Sequence, residues 1–167
     1  MERATHGDAD SFAMLVDPLL QPAYRLAAVM LSDRMAAEDA VQEAAVKAWR
    51  SLGRFRGDES TLRPWFLAIV ANECRMTRRR RWWSVVKMAD VEPRGADSPS
   101  QETTTDLRRA IARLSPSDRL PLVLYFYLDL PLEEVARTLR VSPAAAKSRI
   151  YRSARRLRAD LTLEEVS

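Results

Sequence analysis

The sequence predicts an all-α protein of two small helical domains joined by a flexible linker, with a helix-turn-helix in the second domain. Apolar residues recur at three- and four-residue spacing along most of the chain, as in amphipathic helices. The 167 residues include only four glycines, whereas alanine, leucine and arginine, all good helix formers, are abundant. One polar spacer interrupts this pattern and divides the chain.

The spacer, residues 90–105, contains four acidic residues, one arginine, several serines and threonines, and almost no apolar side chain. It cannot bury enough apolar surface to fold alone, so we predict a flexible linker. We therefore expect a first domain in residues 1–88, a linker in residues 89–105 and a second domain in residues 106–167.

Three helices are predicted in the first domain: Phe12–Ser32, which Pro18 and Pro22 bend or restart, Met35–Leu52 and Thr61–Arg81. The stripe of the second helix consists of Ala37, Val41, Ala44, Ala48 and Leu52. Trp65, Ala68, Ile69 and Asn72 share a face of the third. The single cysteine, Cys74, fits a small core residue. One cysteine cannot form an internal disulfide, which favours a reducing cytoplasm.

In the second domain, Asp106 is predicted to cap a helix that ends near Leu114, and Ser115 to begin the next helix. The run 120–128 is so apolar that we expect all of it in the core.

Two helices joined by a tight turn follow, which is typical of a helix-turn-helix. The first has an apolar stripe of Leu132, Val135, Ala136 and Leu139. Ser142 is a good N-cap and Pro143 a good first residue for the second helix. That helix would bury Ala146, Ile150, Ala154 and Leu157.

The second of these helices is basic, because residues 143–158 include no acid. Its outer faces carry Lys147, Arg149, Arg152, Arg155, Arg156 and Arg158. Such cations supply most of the sequence-independent affinity for DNA. The alternative is a solvated basic helix, but the capped turn and the preceding helix favour DNA binding.

A second basic cluster consists of Arg75, Arg78, Arg79, Arg80, Arg81 and Lys87, flanked by Trp65, Phe66, Trp82 and Trp83. Cations bind phosphates and aromatic faces stack on exposed bases, a combination suited to single-stranded or distorted nucleic acid. The alternatives are a solvated helix end, where cations complement the helix dipole, and core tryptophans.

An acidic cluster has the opposite character: Glu38, Asp39 and Glu43 lie beside Gln42 in the first half of the second helix. It either complements the helix dipole or forms a docking face for a basic protein surface. The periodicity leaves both interpretations open.

Several functional classes lack support in the sequence. One cysteine and one histidine, His6, provide no zinc constellation, and we expect no metal and no cofactor. No glycine-rich phosphate loop or nucleophile elbow is present, so an enzyme is not indicated. No run approaches a membrane span of roughly 20 apolar residues, and the start is not a signal peptide, so we expect no membrane insertion.

Together these motifs resemble bacterial RNA polymerase sigma factors of the extracytoplasmic-function (ECF) group. Asp39-Ala-Val-Gln-Glu-Ala-Ala-Val-Lys-Ala-Trp-Arg50 resembles the family's polymerase-binding helix, and residues 55–72 resemble its promoter-melting segment. Leu132-Glu-Glu-Val-Ala, Val141-Ser and Lys147-Ser-Arg-Ile-Tyr-Arg152 resemble the helix-turn-helix of the family's fourth conserved region. The resemblance covers residues 11–88 and 106–158.

The resemblance implies a cytoplasmic sigma factor that directs core RNA polymerase to promoters. The residues implied in binding the clamp coiled coil of the largest polymerase subunit are Asp39, Gln42 and Glu43. Those implied at the minus-ten element are Arg54, Arg56, Asp58, Ser60, Asn72, Arg75, Arg78, Arg79, Arg80 and Arg81. Those implied at the minus-thirty-five element are Ser142, Ala144, Ala145, Lys147, Ser148, Arg149 and Arg152. Many relatives are held by an anti-sigma protein, but no residue of this chain establishes one.

Two positions depart from the family pattern. The family often has Gly-Thr where this chain has Ala144 and Ala145, so base readout is expected to shift to Lys147 and Arg149. The family often has an acid where this chain has Met76.

Two other functions remain open from the residues alone. One is a helix-turn-helix repressor or activator, usually a dimer, that binds duplex operator DNA without polymerase. The other is an interaction module that sequesters a regulator, which would leave the acid-free recognition helix without a role.

Overall fold

The computed structural model describes residues 8–87 and 102–165, with side chains described for residues 8–81, 107–159 and 161. Within these ranges every regular element is helical, which confirms the predicted fold class. The N-terminal unit consists of α1 (Ala9–Leu31), α2 (Arg34–Leu52) and α3 (Glu59–Lys87). The C-terminal unit consists of α4 (Glu102–Arg113), α5 (Pro116–Leu122), a π-helical turn (Val123–Tyr127), α6 (Leu132–Leu139) and α7 (Pro143–Glu165).

Short polar residues begin and end the first two helices. Asp8 caps α1, which therefore begins three residues earlier than predicted, and Pro18 lies inside one continuous helix, as does Pro22. Ser32 ends α1 in the left-handed conformation, with φ of 54°. The Asp33 carboxylate accepts a hydrogen bond from the Ala36 amide at 2.9 Å and caps α2.

Helix α4 begins at Glu102, so the prediction that Asp106 caps it is wrong: this residue lies inside the helix. Packing of α4 on α7, with Ala110 and Leu114 buried, favours a longer helix than local preference indicates. The remainder of the predicted linker, residues 89–101, lies outside the described residues.

Small side chains form much of the core of the N-terminal unit. The predicted α2 stripe is confirmed, since all five of its members are buried. Of the residues predicted to share a face of α3, Ala68 is buried, Trp65 and Ile69 are half-buried, and Asn72 is exposed. The buried face is instead formed by Phe66, Leu67, Val70, Ala71 and Cys74. This stretch of α3 is apolar around most of its circumference, and it packs against α1, α2 and α6, so periodicity alone could not select the face.

The expectation that residues 120–128 lie entirely in the core is wrong at three aromatic side chains. Tyr125, Phe126 and Tyr127 are 39%, 65% and 47% exposed. The backbone widens here into the π-helical turn, which ends where the Leu128 amide donates to the Val123 carbonyl at 2.9 Å. The altered rotation per residue turns the aromatic run out of the core.

The helix-turn-helix forms as predicted. Arg140 ends α6 in the left-handed conformation, and the Ser142 hydroxyl accepts a hydrogen bond from the Ala145 amide at 3.2 Å. Within α7, Ala146 and Ile150 are buried, whereas Ala154 and Leu157 are half-buried. The turn therefore fixes the direction in which α7 leaves the body of the C-terminal unit.

The two units pack against each other. Helix α3 contacts α6, and α1 contacts α5 and the π-helical turn. Buried apolar side chains from both units, among them Met30, Phe66, Leu124 and Val135, belong to one continuous cluster.

Candidate nucleic-acid and polymerase interfaces

The first turns of α7 present a basic, exposed surface. Lys147, Ser148 and Arg152 are exposed, and Arg149 is half-buried. Buried Ala146 and Ile150 anchor the opposite face, so these four side chains point away from the unit's core. The N-terminal turns of a recognition helix are the part that reaches base edges in the major groove.

Ser142, Ala144 and Ala145, also predicted at the minus-thirty-five element, offer fewer polar contacts to DNA. The Ser142 hydroxyl already caps α7, so its first role is to begin the helix. Ala144 is exposed and Ala145 half-buried, and both offer only a methyl group. Polar readout at this helix therefore falls to Lys147, Ser148, Arg149 and Arg152.

The loop before α3 is organised by one carboxylate. Asp58 accepts hydrogen bonds from the Ser60 hydroxyl at 2.7 Å and from the Thr61 amide at 3.1 Å. Hydrogen bonds, first from the Ser60 side chain and then from Thr61, hold the pKa of Asp58 below its ordinary value. Asp58 and Ser60 thus shape the loop, and the exposed cations Arg54 and Arg56 project from it.

An aromatic pair supports this loop from below. The rings of Phe55 and Trp65 lie 4.6 Å apart between centroids at an angle of 39°. A Cβ added at Gly57 would meet the Thr61 Oγ1 atom at 2.2 Å and the Phe55 ring at 2.5 Å. The loop therefore requires glycine at residue 57 because the aromatic ring and the threonine occupy the space of a side chain.

The arginine run of α3 divides into two pairs. Arg78 donates to the Met30 carbonyl at 3.4 Å, and Arg81 donates to the Asp33 carboxylate at 2.6 Å. These two residues, three apart, tie α3 to the end of α1 and the start of α2. Arg79 and Arg80 are exposed and point away from that junction. Arg75 is exposed near Asn72, whereas the side chains of Trp82, Trp83 and Lys87 lie outside the described residues.

The acidic face predicted on α2 is present at the surface. Asp39, Gln42 and Glu43 are exposed at spacings of three and four residues and therefore share one face. Beside them a groove of about 520 Å³ runs between α1 and α2, with Leu20 and Tyr24 among its lining side chains. The surface thus combines negative charge with an apolar groove.

Contacts that the sequence analysis did not predict hold this face in position. Lys47 on α2 donates to the Glu73 carboxylate on α3 at 2.6 Å, and Glu73 is only 4% exposed. Trp49 packs edge-on against Phe12, with ring centroids 5.0 Å apart. Both contacts fix the rotation of α2, and with it the direction of its acidic face.

Two interactions between the units were also missed. The Arg63 guanidinium donates two hydrogen bonds to the Glu134 carboxylate, Nε to Oε2 and Nη2 to Oε1, each at 2.7 Å. Arg119 is 2% exposed and donates to the carbonyls of Met30 at 3.0 Å and Leu114 at 3.1 Å. No spacing along the sequence indicates such long-range pairs.

Two classes of site can be addressed within the described residues. Among these residues, none of the helices combines the length and the hydrophobicity that a membrane span requires. In the same ranges, no group of three or more histidine, cysteine or acidic side chains is arranged to hold a metal ion.

The helix-turn-helix unit and the arginine-rich α3 of the three-helix unit are typical of a DNA-binding transcription protein. Comparison with known proteins identifies the family. Residues 15–84 match sigma-70 region 2, and residues 104–157 match sigma-70 region 4. RNA polymerase sigma factor SigV of Bacillus subtilis is 30% identical over 148 residues, which cover 88% of this chain and 89% of SigV. ECF RNA polymerase sigma factor SigM of Mycobacterium tuberculosis is 30% identical over 152 residues, 90% of this chain and 77% of SigM.

One solved sigma-factor structure agrees with this assignment, and a second shows the same fold. The chain is 25% identical to the sigma factor RpoE of Bartonella quintana in complex with the anti-sigma factor NepR, with a TM-score of 0.74. That match covers 92% of this chain and 98% of RpoE. The fold is also similar to that of CnrH in complex with the cytosolic domain of CnrY, at a TM-score of 0.71. The chain belongs to the ECF group of RNA polymerase sigma factors.

Proposed function

We propose that this sigma factor divides its work between the two units, in the cytoplasm and with no catalytic step of its own. Residues 1–88 bind core polymerase and the minus-ten element, and residues 106–167 bind the minus-thirty-five element. The observation that carries this proposal is the separation of surface charge. The acidic face lies on α2 of one unit, and the acid-free basic face lies on α7 of the other.

The docking face for the polymerase clamp consists of Asp39, Gln42 and Glu43. Charge of one sign steers a partner of the opposite sign, and the adjacent groove adds apolar area. Asp39→Arg combined with Glu43→Arg should abolish co-purification with core polymerase. The matched control, Asp10→Arg with Glu133→Arg, reverses two exposed acids elsewhere and should leave co-purification intact. Retained co-purification of the Asp39/Glu43 variant would reject this docking face.

The minus-thirty-five element is read by α7. Lys147 and Arg149 are the candidates for base edges, while Arg152 suits phosphate. Losing one good base contact costs about 1–3 kcal/mol, so Arg149→Ala should weaken binding of the upstream element about 5- to 150-fold. Binding of Arg149→Ala to core polymerase should be unchanged. The control is Arg137→Ala, which removes an exposed arginine of α6 and should leave binding of the upstream element unchanged. An unchanged upstream footprint would remove Arg149 from the reading surface.

The minus-ten element meets the loop that carries Arg54 and Arg56, together with Asn72 and Arg75 on α3. We propose that the loop holds an unpaired base of the non-template strand, because capture of a flipped base offsets the few kcal/mol lost on unstacking. The rigid support from Asp58 and Phe55 fits such a pocket, since a preformed loop loses little freedom on binding.

Within the arginine run, Arg79 and Arg80 are the proposed phosphate ligands. Arg79→Ala with Arg80→Ala should lower the slope of log affinity against log salt for single-strand binding by about 1.4, because each phosphate contact contributes about 0.7 to that slope. The matched variant Arg78→Ala with Arg81→Ala should instead lower the free energy of unfolding, since those side chains bind the chain itself. An unchanged salt slope in the Arg79/Arg80 variant would mean that these two arginines do not bind phosphate.

The proposed partners are core polymerase, promoter DNA and an anti-sigma protein. The anti-sigma partner is proposed because RpoE, a relative of similar fold, is complexed with the anti-sigma factor NepR. Exposed aromatic side chains on the π-helical turn provide further apolar surface for a protein partner.

A further inference from the structure

We propose that the contacts between the two units form a clasp, which holds the free protein closed and must open before both promoter elements can be bound. The clasp consists of the Arg63–Glu134 ion pair, the contact of Arg25 with Tyr127, and the bonds of Arg119 to α1. The proposal rests on the proposed function, because only a protein that reads two separated elements needs to open.

The ion pair is the most specific part of the clasp. Arg63 lies near the start of α3, beside the loop proposed to meet the minus-ten element, and Glu134 lies on the first helix of the helix-turn-helix. Two parallel hydrogen bonds of 2.7 Å join a guanidinium to a carboxylate, which is the strong, orientation-dependent form of a salt bridge. The Glu134 side chain is 18% exposed, so water screens the pair only in part.

Two other arginines cross the same boundary. Arg25 on α1 donates to the Tyr127 carbonyl at 2.8 Å, and its guanidinium lies 4.4 Å from the centre of the Tyr127 ring. Arg119 on α5 binds the Met30 carbonyl at the end of α1 at 3.0 Å. Each helix C-terminus has carbonyls without helical partners, so a buried cation from the other unit satisfies them.

The closed form is too small to bind both elements at once. The minus-ten and minus-thirty-five elements are about 25 base pairs apart, or about 85 Å at about 3.4 Å per base pair. A compact chain of 167 residues has a radius of gyration of about 15 Å and is thus about 40 Å across. Two surfaces on such a body cannot reach sites 85 Å apart on straight DNA.

The covalent chain permits opening. Residues 88–101 lie between the described parts, and a fully extended segment of this length spans up to about 50 Å. The ion pair and hydrogen bonds of the clasp are charged and polar contacts, which phosphates and polymerase can replace. The apolar side chains that the two units share must also be covered again in the open form.

The direct test measures the distance between the units in the free protein. Spin labels are attached at Met14→Cys on α1 and Leu107→Cys on α4, both exposed side chains. The native Cys74 does not compete for the reagent, because it is fully buried and its burial raises its pKa to about 12. Glu134→Arg places two like charges together and should lower the ratio of closed to open molecules at least about tenfold.

Matched variants decide whether the ion pair is the cause. Glu133→Arg makes the same charge change on the neighbouring exposed residue and should retain the narrow distance distribution of the unmodified protein. Arg63→Glu should open the molecule, and the exchanged pair Arg63→Glu with Glu134→Arg should close it again. A broad distribution in the unmodified protein, or an unchanged one in Glu134→Arg, would overturn the clasp.

A second arm asks whether closure blocks function. Arg25→Cys with Tyr127→Cys, joined by a short reducible cross-linker, should give no promoter-specific transcript with core polymerase, and reduction should restore it. Full transcription by the cross-linked protein would overturn the requirement for opening. If neither the reduced nor the unmodified protein transcribed, the proposed function would fail, while the distance measurement would still decide whether the clasp exists.

Discussion

The two units are stabilised in different ways. The N-terminal unit is built around fully buried alanines such as Ala27, Ala37 and Ala44, which let its helices approach closely. The C-terminal unit buries Asp118, Arg119, Thr138 and Ser153 among its apolar side chains. The N-terminal unit therefore depends mainly on close packing, with buried Glu73 held by Lys47. In the C-terminal unit the buried side chains of Asp118, Arg119 and Thr138 form hydrogen bonds, and Arg119 reaches into the first unit.

Removal of Arg119 should have the largest effect. Its guanidinium donates to carbonyls at the ends of α1 and α4, including Ala112, and burial together with nearby Arg78 lowers its pKa to about 10. Arg119→Met leaves these carbonyls without partners and should lower the free energy of unfolding by about 3–5 kcal/mol.

Urea denaturation measures this loss. Arg137→Met, the same change at an exposed position of α6, should cost less than about 0.5 kcal/mol. If the two variants were equally stable, the C-terminal unit would not depend on its buried arginine, and the contrast between the units would disappear.

Overpacking tests the other side of the comparison. Ala44 is fully buried on α2, so Ala44→Leu inserts three carbons where helices are already close and should cost about 1–3 kcal/mol. Val46→Leu on the same helix, at a side chain 44% exposed, is the control and should be nearly neutral. A neutral Ala44→Leu would mean that the alanine core is loosely packed. Thermal or urea unfolding measures both variants.

The smallest effect concerns pH and Asp118. Burial alone would raise the pKa of this carboxyl, but hydrogen bonds from Ser115 and the Arg156 guanidinium lower it below the ordinary value of 3.8. The ionised carboxylate of Asp118 therefore stabilises the fold fully above about pH 3.8, the ordinary pKa. This stabilisation is lost as the pH falls through the lowered pKa of the folded protein. Asp118→Asn should cost about 1–2 kcal/mol near neutral pH.

Unfolding measured across pH checks the sign. The stability difference between the unmodified protein and Asp118→Asn should shrink as the solution is acidified below pH 3.8. The control, Asp17→Asn, changes an exposed carboxyl and should alter the free energy of unfolding by less than about 0.5 kcal/mol near neutral pH. A difference that stayed constant with pH would mean that the charge of Asp118 contributes nothing.

Local signals in the sequence predicted much of the fold. Ser115 and Ser142 cap helices as predicted, because a short side-chain oxygen next to an apolar stripe accepts hydrogen bonds from the free amides of the first turn. The alanine stripe of α2 and buried Cys74 followed from periodicity. The acidic and basic faces were also predicted correctly as surfaces, because charged residues remain in water unless paired.

The sequence could not predict what depends on distant partners. Periodicity placed Trp65 and Asn72 on one face of α3 but could not show which face is buried, because this helix is covered on more than one side. Composition placed Phe126 in the core because it carries no sign of a π-helical turn. The Arg63–Glu134 pair joins residues 71 positions apart, and no local rule connects them.

The central claim, that this sigma factor reads a promoter with both units, is tested most directly by transcription. Genomic fragments of the source bacterium are transcribed by core polymerase with and without the protein, and the RNA start sites are sequenced. We expect start sites that need the protein and share two conserved elements, and Arg149→Ala should weaken selection of the upstream element alone. Absence of such start sites, with tight binding of a dimer to a symmetric operator without polymerase, would contradict the account.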